Sequence, residues 1–134
     1  MLKYLLDTDI SIYVMKNKPL SVRAHFSRHD GNIAISSVSM MELYYGCYHS
    51  EQQDRNLETL DGFRKRLSVL EFDLRAAEHA GDIRATLRQT GQMIGAYDVM
   101  MAGHARSLGL ILVTNNSREF ERVDGLRLEN WAIQ

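Results

Sequence analysis

The chain opens with MLKYLLDTD, residues 1–9, and this stretch decides the fold. Its apolar run, residues 4–6, fits a strand buried on both faces, and the run ends in two carboxylates, Asp7 and Asp9. Ligands of open parallel sheets bind just beyond the carboxyl ends of the strands, where such a pair can converge on a hard cation. Because an idle charge is costly at a buried strand end, we interpret Asp7 as a site residue. Asp9 is either a site residue or only the N-cap of a helix over residues 10–15.

The rest of the chain alternates strand-like and helix-like segments, which predicts an α/β sandwich with a mainly parallel central sheet. Its length suits one domain, residues 1–134, with a real core. Further strands are predicted at residues 33–35, 68–72, 110–113 and 126–131. Helices are predicted at residues 19–27, 36–46, 51–67, 73–91, around Asp98 up to Gly109, and 118–122.

Charge does not mark the chain as a nucleic-acid binder, since 16 basic residues face 17 acidic ones. Residues 10–29 nevertheless contain no acid, while they contain Lys16, Lys18, Arg23 and Arg28. Such a local patch could position an RNA backbone. An ordinary solvated surface explains the same pattern equally well.

Cysteine content and hydropathy bear on the location of the protein. Cys47 is the only cysteine, so an intrachain disulfide and a cysteine-based zinc site are both excluded. No apolar run has the length of a membrane span, and the first residues do not have the pattern of a signal peptide. We therefore expect a cytoplasmic protein with no membrane partner.

Three more acids follow predicted strands or lie in the first turn of a helix: Glu42, Asp98 and Glu119. Each alone has an ordinary explanation, because acids favour helix N-termini. Glu42 has the spacing of a capping box with Ser39, and Glu119 has a weaker version of it with Asn116.

Taken together, the acids indicate a metal site. The carboxyl ends of the strands in a doubly wound sheet meet at one edge, so Asp7, Glu42, Asp98 and Glu119 could share a crevice. Clustered carboxylates repel one another unless a cation lies between them, and Mg²⁺ or Mn²⁺ suits oxygen ligands. Such sites perform phosphoryl transfer or phosphodiester hydrolysis.

Two alternatives stay open at this point. Residues 7–11 resemble the nucleophile motif of haloacid-dehalogenase-type phosphatases, and residues 113–115 resemble their second motif. That family then needs a lysine and another acidic pair, but only 20 residues follow Thr114 and none is lysine. The other alternative is a non-catalytic interaction module whose acids only cap helices.

An ordered set of stretches along the whole chain carries a different resemblance. These stretches are residues 2–8, residues 35–43 (ISSVSMMEL), Asp98 with residues 102–106 (AGHAR), residues 112–116 (LVTNN) with 118–120 (REF), and residues 126–131. Together they resemble PIN-domain ribonucleases, specifically the VapC toxins of bacterial type II toxin–antitoxin pairs. The resemblance implies a PIN-like three-layer sandwich and a metal-dependent endoribonuclease.

The resemblance also assigns roles. Asp7, Glu42 and Asp98 match the metal-binding acids, Glu119 is a further catalytic candidate, and the supporting residues are Asp9, Thr114 and Asn116. Asp9 stands where Asn is common in the family, and either Asn116 or Glu119 could complete the site. The implied substrate is structured RNA such as tRNA, with initiator tRNA as one candidate.

The implied partners are a VapB-type antitoxin and a second copy of the chain, in a homodimer. An acidic pocket attracts a guanidinium group, so we expect an antitoxin arginine to enter the cluster. Apolar antitoxin residues would pack near Tyr44, Tyr48 and the methionines.

Overall fold

The computed structural model describes residues 1–133. Strands and helices alternate along this part of the chain, as the sequence predicts. In chain order they are β1 (Tyr4–Leu6), α1 (Thr8–Lys16), α2 (Leu20–Arg28), β2 (Ile33–Ser36), α3 (Ser37–Tyr48), α4 (Gln53–Arg64), β3 (Ser68–Leu70), α5 (Leu74–Gln89), α6 (Ala96–Leu108), β4 (Ile111–Val113), α7 (Ser117–Phe120) and β5 (Leu128–Glu129).

The five strands form one sheet in the order β3-β2-β1-β4-β5, and every neighbouring pair is parallel. The predicted mainly parallel sheet is therefore confirmed. β1 lies at the centre, where Leu6 pairs with Ile35 on one side and with Val113 on the other. The strands β2, β1 and β4 end at the same edge of the sheet, and Asp7 lies there directly after β1.

Helices cover both faces of the sheet, which confirms the three-layer architecture. Neighbouring residues of β1 point to opposite faces because strand side chains alternate. Leu6 packs in a core with residues of α1 to α4, whereas Leu5 packs in a second core with residues of α5 and α6. Both leucines have no exposed surface. A strand buried on both faces has no polar side, which explains its continuous apolar run.

On the second face, α5 and α6 pack unusually closely. A Cβ atom at Gly103 would lie 2.6 Å from the backbone nitrogen of Ala80 and 2.7 Å from its Cα atom. Only a residue without a side chain allows this approach between the two helices. Their packing fixes the direction of α6, whose first turn contains Asp98.

The ends of the elements differ from the sequence expectation by a few residues. Helix α1 already begins at Thr8, and the strand predicted at residues 126–131 is only Leu128–Glu129. Within residues 1–133, no helix combines the length and apolar character needed to cross a membrane.

Candidate active site

Asp7 connects the central strand to the first helix. It is the N-cap of α1, and its Oδ1 accepts a hydrogen bond from the Ile10 backbone N–H at 2.9 Å. Its backbone carbonyl accepts another from the Ser11 hydroxyl at 2.9 Å. The N-cap interpretation of Asp9 was therefore wrong, because the helix begins two residues earlier. Asp9 is an exposed residue in the first turn.

Burial makes Asp7 difficult to ionise. Only 8% of the residue is exposed, and desolvation is the main cause that raises its pKa from 3.8 to about 6. Hydrogen bonds from Thr114 and the Ile10 backbone lower the pKa, while the negative charges of Asp9 and Asp98 raise it. A carboxyl group at a strand end, with other acids near enough to repel it, matches the predicted cluster.

Glu42 joins the site from α3. Its Oε1 accepts a hydrogen bond from the Thr8 hydroxyl at 2.6 Å. The capping box predicted for Ser39 and Glu42 was wrong, because Ser36 caps this helix by accepting from the Val38 backbone N–H at 3.1 Å. The Ser39 side chain is buried inside the protein. Glu42 is therefore free of a capping role and faces the start of α1.

Asp98 lies in the first turn of α6 and is half-buried. Burial is the main cause that raises its pKa, followed by the negative charges of Glu119, Glu42 and Asp9. Gly95 leaves room for it, since a Cβ atom there would lie 3.2 Å from the Asp98 Oδ2 atom. Asp98 therefore interacts electrostatically with acids from three other segments.

The fourth segment is the loop after β4. The Asn116 side chain donates a hydrogen bond to Glu119 Oε2 at 3.0 Å, and its backbone N–H donates to the Thr114 hydroxyl at 2.9 Å. Asn116 makes no side-chain capping bond, so the expected capping role of this pair was wrong. Since Asn116 and Glu119 are hydrogen-bonded to each other, they form one unit and either can face the site.

The four basic residues are not all remote from the acids, because Lys16 lines a groove that Glu42 also lines. Lys16, Lys18, Arg23 and Arg28 are all exposed. Lys16 ends the helix that begins beside Asp7, so it lies about 13 Å away at 1.5 Å per residue. Arg28 precedes His29, whose ring packs on Tyr4 at the start of β1 with 4.6 Å between centroids. Arg28 therefore lies near the amino edge of the sheet.

The negative charge of these acids suits a bound cation, but their side chains are not arranged around one point. The charges that raise the pKa values of Asp7 and Asp98 are those of neighbouring acids. In residues 1–133, no three of the side chains already surround a common point. Glu42 and Glu119 each have one oxygen in a hydrogen bond to a neighbour.

Sequence reasoning missed Thr8. Its hydroxyl binds Glu42 across 34 residues of chain. Its only sequence signal is its place between two acids at a strand end, where a hydroxyl could reach a neighbouring segment.

Comparisons with known proteins agree with this geometry. The model of the PIN-domain family matches residues 4–126. The tRNA(fMet)-specific endonuclease VapC of Shigella flexneri is 54% identical over 132 residues, which cover 98% of this chain and all of the relative. Ribonuclease VapC2 of Haemophilus influenzae is 49% identical with the same coverage. Neither comparison supports a phosphatase of the haloacid-dehalogenase type.

Solved structures show the same relationship. The structure described as DNA-bound VapBC from Salmonella typhimurium matches with a TM-score of 0.93 and 50% identity, over 98% of this chain and 99% of the other. VapBC2 from Rickettsia felis, bound to a promoter DNA fragment, matches with a TM-score of 0.91 and 37% identity, over 97% and 99%. On sequence and structure alike, the chain belongs to the PIN-domain family, within its VapC group.

Proposed function

We propose that the chain is a metal-dependent endoribonuclease toxin that cleaves tRNA and is neutralised by a VapB-type antitoxin. The observation that carries the proposal is that acids from separate segments lie close enough for their negative charges to raise the pKa values of Asp7 and Asp98. Asp7 follows β1, Glu42 belongs to α3, Asp98 to α6 and Glu119 to α7. Relatives that cover the whole chain and are named ribonucleases support it.

Each acid has a distinct part in the proposal. Asp7, Glu42 and Asp98 hold Mg²⁺ or Mn²⁺, directly or through water. Bound there, the metal would activate water and stabilise the leaving oxygen of the phosphodiester. The chain itself contributes the rigid placement of Asp7 at a strand end.

The loop after β4 has a supporting role. Thr114 is buried and fixes the loop through the Asn116 backbone, while Asn116 orients Glu119. Exposed Asp9 adds negative charge at the rim of the site. The basic residues Lys16, Lys18, Arg23 and Arg28 contact the RNA backbone, which adds affinity without sequence readout.

Cleavage of defined tRNAs tests the substrate. Two relatives are named tRNA(fMet)-specific endonucleases, so initiator tRNA is the substrate to compare with an elongator tRNA. Purified protein with Mn²⁺ should cleave initiator tRNA and lose activity in EDTA. Asp7→Asn should abolish cleavage while the fold is retained. An active Asp7→Asn protein would remove Asp7 from the reaction.

Thermal stability tests metal binding independently of activity. A ligand that binds only the folded state stabilises it by mass action, so Mn²⁺ should raise the melting temperature. The shift should shrink in Asp98→Ala. The matched control is Asp54→Ala, because Asp54 is also an acid in the first turn of a helix, but on α4 and exposed. Equal shifts in both variants would place the ion elsewhere.

An apolar surface beside Glu42 supports the antitoxin proposal. Met41, Tyr45 and Tyr48 of α3 are exposed, with 45%, 63% and 59% of their surfaces accessible. Of the residues expected here, Met40 and Met101 are buried in the core instead, and the Tyr44 ring stacks on Tyr48 with 6.3 Å between centroids. The expected contact therefore involves Met41 and the tyrosines.

A groove between α1, α3 and α4 leads to the acids. It encloses about 530 Å³, and its walls include Ile12, Leu43 and Leu60, with Glu42 at its border. An amphipathic antitoxin segment in this groove would bring an arginine within reach of the carboxylates. A homodimer remains a further expectation, which the molar mass in solution tests.

A further inference from the structure

One hydrogen bond joins two acidic segments of the site. Thr8 is the first residue of α1, directly after the N-cap Asp7. Its hydroxyl donates to Glu42 Oε1 at 2.6 Å, a short distance expected for a hydroxyl donating to a carboxylate. The two residues are 34 positions apart, and the bond is partly buried. It therefore connects the end of the central strand to the middle of α3.

Glu42 needs such a constraint more than Asp7 does. Asp7 has a short side chain, 8% exposure and a capping bond to the Ile10 backbone, so its carboxylate is fixed by its own helix. Glu42 has a longer side chain and lies half-exposed on α3. A free glutamate samples several rotamers, and ordering it costs entropy. The Thr8 hydroxyl selects one orientation in advance.

We propose that Thr8 is a positioning residue, which holds the Glu42 carboxylate beside the start of α1, near Asp98, so that its second oxygen stays available to the metal. The inference rests on the proposed metal-dependent function and deepens it. Thr8 acts through Glu42. Partners that orient metal ligands in this way change metal affinity when they are removed.

Two substitutions separate the hydroxyl from the shape of Thr8. Thr8→Val keeps the branched side chain and loses the donor, whereas Thr8→Ser keeps the donor and loses a methyl group. Metal-free melting temperature verifies that each variant is folded. Thr8→Ala is measured as well, so that the conclusion does not depend on how well valine fits at the helix start.

Calorimetric titration with Mn²⁺ and steady-state RNA cleavage give two readouts. We expect Thr8→Val and Thr8→Ala to bind Mn²⁺ about tenfold more weakly, within the range seen when such orienting partners are removed. We expect kcat to fall with little change in KM for RNA, because Thr8 does not hold the substrate. Thr8→Ser should stay within about twofold of the parent, since its hydroxyl preserves the same orienting bond.

A double-mutant cycle with Glu42→Ala tests whether Thr8 acts through Glu42. In the Glu42→Ala background, Thr8→Val should cause no further loss of Mn²⁺ affinity. A full additional loss would overturn the inference, as would a Thr8→Val protein with parental affinity or a Thr8→Ser protein as weak as Thr8→Val. A parent that neither binds Mn²⁺ nor cleaves RNA would overturn the proposed function as well, whereas an active parent confines the failure to Thr8.

Discussion

Asp7→Asn should make the metal-free protein more stable at neutral and higher pH, although it abolishes cleavage. Burial raises the pKa of Asp7 from 3.8 to about 6, so the folded protein favours the neutral form of this side chain. Asparagine is neutral, nearly the same size and as good an N-cap as aspartate. It can therefore keep the hydrogen bond from the Ile10 backbone N–H without a buried charge.

The size of the effect follows from the pKa difference. Between 3.8 and about 6 lie about 2.2 pH units, and at 1.36 kcal/mol per unit this is about 3 kcal/mol. Because the pKa is higher in the folded state, the folded protein binds the proton more tightly between these values. The acid thus costs no stability below about pH 4, and its cost grows through this window and is complete above about pH 6. By the same linkage, roughly a third of the gain remains at pH 4.5.

Urea unfolding in EDTA measures this gain at pH 8 and pH 4.5. The matched control is Asp9→Asn, which removes the same charge at an exposed position of the same helix turn. Asp7→Asn should gain far more than the control at pH 8, and its advantage should shrink at pH 4.5. An Asp7→Asn protein no more stable than the parent at pH 8 would refute the argument that burial makes this charge costly.

Three further predictions concern other parts of the molecule. Gly103→Ala should lower the free energy of unfolding by about 1–3 kcal/mol, because the added Cβ overpacks against Ala80. Gly81→Ala has open space around its Cβ and should raise the free energy of unfolding by up to about 1 kcal/mol. Equal effects in urea unfolding would contradict the close packing of α5 on α6. Gly95→Ala should weaken Mn²⁺ binding with little change in metal-free melting temperature, because its Cβ would displace the Asp98 carboxylate; unchanged affinity in calorimetry would show that this carboxylate adapts. The arginines of an inhibitory antitoxin peptide can be changed to alanine one at a time. At least one change should restore much of the RNA cleavage, because a guanidinium pairs with the acid cluster. Full inhibition by every variant would indicate that the peptide covers the site sterically instead.

Much of the site could be predicted because it depends on local patterns. A short apolar run that ends in an acid is recognisable without the structure, and so is an acid in the first turn of a helix, such as Asp98. The parallel sheet then requires that the strand ends meet, so the gathering of Asp7, Glu42 and Asp98 followed from the alternation of strands and helices. The roles of the acids, of the basic residues and of the metal remain predictions.

The errors concerned helix caps, which depend on contacts between segments. Ser39 has capping-box spacing to Glu42, but its hydroxyl lies 3.0 Å from the Met101 sulfur on α6, in the interior. Ser36 is the cap of α3 instead, close to the predicted start of this helix at residue 36. Thr8 was missed for the same reason, since its partner lies on another helix. Spacing within one segment contains no information about such contacts.

The central position of β1 has a consequence for synthesis on the ribosome. Leu6 is made early, but its neighbour Val113 follows more than one hundred residues later, which at bacterial elongation rates is roughly 5–20 s. A nascent chain can pair β1 with β2 while the opposite edge of β1 stays open, and it contains Asp7 and Glu42 before Asp98 exists. The acid cluster is therefore among the last features to be completed during translation. Limited proteolysis of ribosome-arrested chains that end before and after β4 would show this, because only the longer chains should protect β1.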